Sequence, residues 1–186
     1  MRVIVAITGA SGAIYARQVL EILLEHHEVE QIALIYSQHA PDVITAEGVA
    51  IPHDERIRCY DNGDMWASVA SGSAEWDSMI IVPASMGCVA RVACGISSTL
   101  IERAADVMLK ERRRLILAVR EAPYSLIHLR NMTTLTEAGA MIIPASPSFY
   151  FRPESIEELC RNLSERIVEA AGISIRHKAW GEEKSL

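Results

Sequence analysis

Five short apolar runs punctuate the chain: "RVIVAIT" (2–8), "IALIYS" (32–37), "SMIIVPA" (78–84), "LILAV" (115–119) and "AMIIP" (140–144). Between them, "AIYARQVLEILLEHH", "IERAADVMLKE" and "SLIHLRNMTTLTEAG" repeat apolar residues at helical spacing. Strands that are apolar throughout must be covered on both faces, and the intervening helices supply the cover. The pattern predicts a three-layer, doubly wound α/β domain with a parallel, Rossmann-like sheet. A chain of 186 residues fits a single domain spanning 1–186. The stretch 47–76 breaks the rhythm and is expected to be a long functional loop with minor structure of its own. After Gly172 the tail is polar, without a core pattern, and its Trp180 suits packing on another subunit.

Charge narrows the partners. A net charge of −6 and a pI near 5.5 disfavour nucleic acid or an anionic membrane, since both reward a basic face. No apolar run reaches the ~18 residues that a membrane helix requires. The four cysteines form no CxxC pair and no leader-like segment precedes the first run, so a reducing cytoplasm is expected. The six histidines lack HExxH or similar spacing, so no protein-built metal site is expected.

In an open α/β sheet, ligands bind beyond the carboxyl ends of the strands. Small, hydroxyl-bearing and charged residues stand there: Gly9-Ala10-Ser11-Gly12, Ser37-Gln38, Ser85-Met86-Gly87-Cys88, Arg120-Glu121 and Ser146-Pro147. "TGASGA" opens a helix directly after a strand, which suits either an anion cradle of backbone amides or a tight turn with Ser11 as helix cap. "PASMGCVA" repeats the design, with Ser85 as a cap or a ligand group. Two such loops at neighbouring strand ends suit a mononucleotide. FMN fits better than NAD, because Ser37 and no acidic residue stands at the end of the second strand to hold an adenosine ribose.

The segment "RAADVMLKERRRLILAVREAP" (103–123) gathers positive charge around one apolar run. Arg103 and Lys110 are two helical turns apart and share a face. Arg112 to Arg114 read as solvated surface charge. Arg120 and Glu121 close a buried strand where a ligand would lie, and Glu121 suits a proton acceptor. By sequence pattern alone Tyr150 and Arg166 are an aromatic plug and a surface charge.

The blocks "TGASGAIYA" (8–16), "LIERAADVMLKERRRLILAVREAPYSLIHLRNM" (100–132), "GAMIIPASPSFYFRPESIEEL" (139–159) and "AWGE" (179–182) follow in order over nearly the whole chain. In them the sequence resembles the UbiX-type flavin prenyltransferases. That resemblance implies joining of a dimethylallyl unit from dimethylallyl monophosphate to N5 and C6 of reduced FMN. The product, prenylated FMN, serves partner UbiD-type decarboxylases. It further implies that Gly9, Ala10, Ser11, Ser37, Ser85, Met86, Gly87, Cys88 and Arg120 hold FMN. Arg103, Lys110, Arg120, Tyr150 and Arg166 would surround the allyl phosphate, and Ser11, Glu47, Glu121 and Lys110 would serve catalysis. The family forms homo-oligomers, commonly dodecamers, with active sites at subunit contacts.

Such chemistry accounts for the residue types. Cleaving an allylic C–O bond leaves a cation and a phosphate dianion, and arginine and lysine stabilise the departing charge. The chain has no DDxxD-like motif for magnesium. Two alternatives remain, a flavin-dependent cysteine decarboxylase of related fold and a non-catalytic FMN carrier. The first expects an asparagine where "PASMGCVA" has none, and the second has no use for Lys110, Tyr150 and Arg166 together.

Overall fold

The computed structural model describes residues 1–175, so Trp180 and the "AWGE" block lie outside the described residues. Six strands form one parallel sheet: β1 (Arg2–Ile7), β2 (Gln31–Tyr36), β3 (Ile57–Tyr60), β4 (Ser78–Ala84), β5 (Arg114–Val119) and β6 (Met141–Pro144). Their spatial order is β3-β2-β1-β4-β5-β6. The helices are α1 (Ala13–Glu25), α2 (Ala40–Ala46), α3 (Met86–Ala93), α4 (Leu100–Lys110), α5 (Leu126–Glu137) and α6 (Ile156–Ala170).

Alternation within the apolar strands builds the three layers. On β1, Val3, Val5 and Ile7 pack with α1 and α6, whereas Ile4 and Ala6 face the core shared with α3 and α4. β5 divides likewise, with Ile116 and Ala118 on the α1–α6 side and Leu115, Leu117 and Val119 on the other. A one-residue slip would exchange these two cores, so the register is firmly specified. The chain winds outward from β1 to β3 and then returns to start β4 on the other side of β1. That reversal leaves a crevice between the carboxyl ends of β1 and β4, the switch point where such sheets take ligands.

Two expectations are corrected and a third gains detail. The minor structure expected within 47–76 is edge strand β3 and two single 3-10 turns, Ser68–Ala70 and Gly72–Ala74, which lead into buried Trp76. β3 escaped the apolar pattern because it is a four-residue edge strand whose two central residues, Arg58 and Cys59, are exposed. The segment after Gly172 is not wholly polar surface, because Ile173 is buried against the α1–α6 layer. Arg113 is not solvated surface charge: it is partly buried and its Nη2 donates to Gly72 O at 2.8 Å.

Candidate active site

The switch-point loops are tied to each other before any ligand is considered. Thr8, buried at the end of β1, donates from Oγ1 to Pro83 O at 2.6 Å and accepts from Ser85 N at 2.8 Å. The glycine after it is required by space, since a Cβ on Gly9 would stand 2.8 Å from the His39 Cβ. Ser85 caps α3 through its Oγ, which accepts from Cys88 N at 3.4 Å. Burial pushes the Cys88 thiol up to about 12, despite the opposing charge of Arg91. It stays a neutral group and offers no thiolate.

Ser11 does not cap α1 as the simpler of the two sequence readings had it. Gly12 takes that position in the left-handed region, at φ 115°, where glycine carries no Cβ penalty. The cap comes instead from Glu47, just past α2, whose carboxylate accepts from Gly12 N at 2.9 Å and Ala13 N at 2.7 Å. Desolvation raises the Glu47 pKa, but hydrogen bonds from the Ser11 hydroxyl and the two amides, with the nearby Arg120 charge, outweigh it and hold the carboxyl below its ordinary value. Arg120 in turn donates from Nε to Ser11 O at 3.3 Å. Ser11, Glu47 and Arg120, placed by three separate elements, therefore meet at one strand end. Glu121 comes just after β5, with its Oε1 accepting from the Ala122 amide at 3.0 Å.

Beside this group lies a cavity of about 450 Å³, lined by Gly9, Ser37, His39, Asn62, Ser85 and Cys88 among others. Its volume falls in the range of small-ligand sites, roughly 300–1,000 Å³. The far wall is the start of α4, where Glu102, only 2 % exposed, accepts from Ser98 N at 2.9 Å and Thr99 N at 3.0 Å and pairs with Arg91. Asn62 fastens the same helix start, accepting from Ile101 N at 3.0 Å with its side chain and from Leu100 N at 2.8 Å with its carbonyl. Hydroxyls, amides and a glycine that leaves room at the strand end suit a flavin nucleotide.

A single chain does not gather the phosphate-binding group that the resemblance implies. Arg103 and Lys110 do lie on one face of α4, but Asp106 lies between them and pairs with Arg103 at 2.7 Å, while Arg103 Nε donates to Ala70 O. Lys110 ends α4 at the amino edge of the sheet, just before β5 begins, and pairs with Glu111. Arg120 stands at the opposite end of that strand. Arg166 lies on α6, in the other layer, and pairs with Glu169 at 2.7 Å. Tyr150 follows β6 at the carboxyl edge and is largely exposed, in edge contact with Phe151. Sequence inspection overlooked Arg91, Asn62 and Glu102, although Thr99-x-x-Glu102 has the capping-box spacing that marks a helix start.

A second cavity, of about 430 Å³, runs between α5 and β6 along Val119, Leu129, Met132, Ile142 and Pro144. It is mainly apolar, and among the described residues no arginine or lysine lines it. Exposed Leu126, Ile127 and Met141 extend the apolar surface of these two elements.

Comparison with known proteins agrees with this geometry. The Flavoprotein family model matches residues 1–170. The flavin prenyltransferase UbiX of Methanocaldococcus jannaschii is 39 % identical over 186 residues, covering 97 % of this chain and 99 % of its own. A crystal structure of AnUbiX (PadA1) in complex with FMN and dimethylallyl pyrophosphate superposes with a TM-score of 0.87 at 41 % identity, covering 96 % of this chain and 98 % of that one. A dodecameric FMN-dependent UbiX-like decarboxylase from Escherichia coli O157:H7 gives 0.88 at 34 % identity, covering 97 % and 99 %. A parallel sheet with an amide- and hydroxyl-lined switch point, matched along its length by these relatives, places the chain in the flavoprotein family, as a flavin prenyltransferase of the UbiX type.

Proposed function

We propose that this enzyme transfers the dimethylallyl group of dimethylallyl monophosphate to N5 and C6 of reduced FMN, without a metal, and releases prenylated FMN for a UbiD-type decarboxylase. The observation that carries the proposal is the meeting of Ser11, Glu47 and Arg120 beside the Gly9 and Ser85 loops. Bound FMN supplies the electron-rich ring atoms that are alkylated. Gly9, Ala10, Ser37 and the Ser85–Cys88 loop hold it through backbone and hydroxyl groups, and Arg120 lies where negative charge on either partner is stabilised. Glu121 is the proton acceptor for the C6 position: both Glu47 oxygens are already engaged by amides, whereas the carboxylate of Glu121 accepts only from its neighbour's amide among the described residues. Glu47 then orients Ser11 and fixes the loop.

The leaving phosphate requires cations that one chain holds apart. Assembly into a homo-oligomer, a dodecamer as in the Escherichia coli relative, would bring Lys110, Arg103, Tyr150 and Arg166 of neighbouring copies to the Arg120 end. Apolar Leu126, Ile127 and Met141 suit burial between copies. Free cysteines suit a reducing cytoplasm, and among the described residues no helix is long and apolar enough to cross a membrane. Anaerobic incubation with reduced FMN and dimethylallyl monophosphate, followed by mass spectrometry, tests the reaction. The expected product is FMN enlarged by one dimethylallyl unit; unaltered FMN under conditions that support the Methanocaldococcus jannaschii enzyme would refute it.

A further inference from the structure

The usual anion site of a doubly wound fold is the N-terminus of the helix after β1, where free amides and the helix dipole meet a phosphate. In this chain that place is filled from within. The Glu47 carboxylate already takes the Gly12 and Ala13 amides and lies below its ordinary pKa, so a phosphate there would meet a negative charge instead of open donors. The 5′-phosphate of a bound flavin must be neutralised elsewhere.

The neighbouring cavity holds one candidate. Among the described residues, Arg91 is the one arginine or lysine that lines it, beside Ser37, Ser85, Ser98 and Thr99. Arg91 lies in the last turn of α3, and its side chain runs back toward the helix start, as helical side chains do. Its Nη1 comes within 3.3 Å of where a Cβ on Gly87 would be, so glycine leaves it room beside the Ser85 loop. Nε is held by buried Glu102, whose carboxylate also serves two backbone amides. The two terminal nitrogens have no hydrogen-bond partner among the described residues, and half of the side chain is open to solvent. A guanidinium anchored by one edge and open at the other matches a phosphate monoester.

We propose that Arg91 binds the 5′-phosphate of the flavin and makes the cavity select FMN over riboflavin. The inference rests on the flavin-binding reading above and adds to it a residue that the family resemblance did not supply. No such charge is needed for the isoalloxazine ring, which the two ligands share.

Titrating the full-length protein with FMN and with riboflavin, by quenching of flavin fluorescence, tests the assignment. Arg91→Met keeps the length of the stem without the charge. It should weaken FMN binding roughly 10- to 100-fold while changing riboflavin binding less than about twofold. Arg91→Lys, which keeps the charge but loses the fork, should fall between wild type and Arg91→Met for FMN alone and decides the matter if the methionine variant does not fold. Wild-type affinity for FMN, but not for riboflavin, should decline with added salt. Equal losses of both ligands, or unchanged FMN affinity in both variants, would overturn the role of Arg91. Failure of the wild-type protein to bind either flavin would instead refute the flavin-binding reading itself.

Discussion

The two edges of the sheet are built on different plans. At the carboxyl edge, side chains are finished within one chain: Thr8 ties two loops, Glu47 caps α1, and Glu102 gathers Arg91 and the start of α4. Toward the amino edge, Lys110 and Arg166 pair with the nearby acidic residues Glu111 and Glu169 and lie on opposite faces of the sheet. A region whose polar groups satisfy one another is a finished site. Cations that hold local, exposed partners are free to exchange them, since such pairs contribute little, about 0–1 kcal/mol.

Breaking the finished edge should have the largest effect on stability. Glu102→Ala leaves two amides and a half-exposed guanidinium without their buried acceptor and should cost about 1–3 kcal/mol in denaturant unfolding; a loss below about 0.5 kcal/mol would show that the edge is not internally held. Lys110→Met should leave both stability and FMN affinity nearly unchanged. It should still slow prenyl transfer roughly 100- to 1,000-fold, as loss of one charge-stabilising donor does. Mixed assemblies of Lys110→Met and Glu121→Gln subunits sharpen the contrast, because activity should reappear only if the two residues serve one site from different chains.

The smallest effect concerns Glu47. Its folded pKa lies below its ordinary value of 4.5, so the stability it adds is present above that value and is lost as pH falls through the depressed one. Glu47→Gln should remove this acid-side dependence. The increment should be under about 1 kcal/mol, because the carboxylate is exposed enough for solvent to screen it. A thermal midpoint measured from pH about 6 down to about 3 should fall less steeply in the variant than in the wild type. Parallel curves would mean that the cap is not electrostatic.

Much of the finished edge was legible from local pattern. Uniformly apolar runs such as "SMIIVPA" forecast buried parallel strands, and small residues after them forecast the two loops. What escaped was contact across sequence distance. Nothing in the neighbourhood of Glu47 announces that it will cap a helix that starts 34 residues earlier, and nothing near Asn62 announces the start of α4. β3 was hidden by its place at the sheet edge, where one face needs no apolar cover. The shared face of Arg103 and Lys110 was correctly periodic, but helical spacing says nothing about which end of the sheet a face will meet. Sequence therefore displayed the charges of the expected phosphate-binding group without the separation that one chain imposes on them.

Thr8 bears on binding in one more way. A single buried hydroxyl accepts from one switch-point loop and donates to the carbonyl just before it, so the β1 and β4 strand ends move as one body. A ligand entering between them need not spend its interactions on ordering two separate loops, because folding has already met that entropic cost. Affinity for flavin is in this sense prepared by a residue that need not touch it.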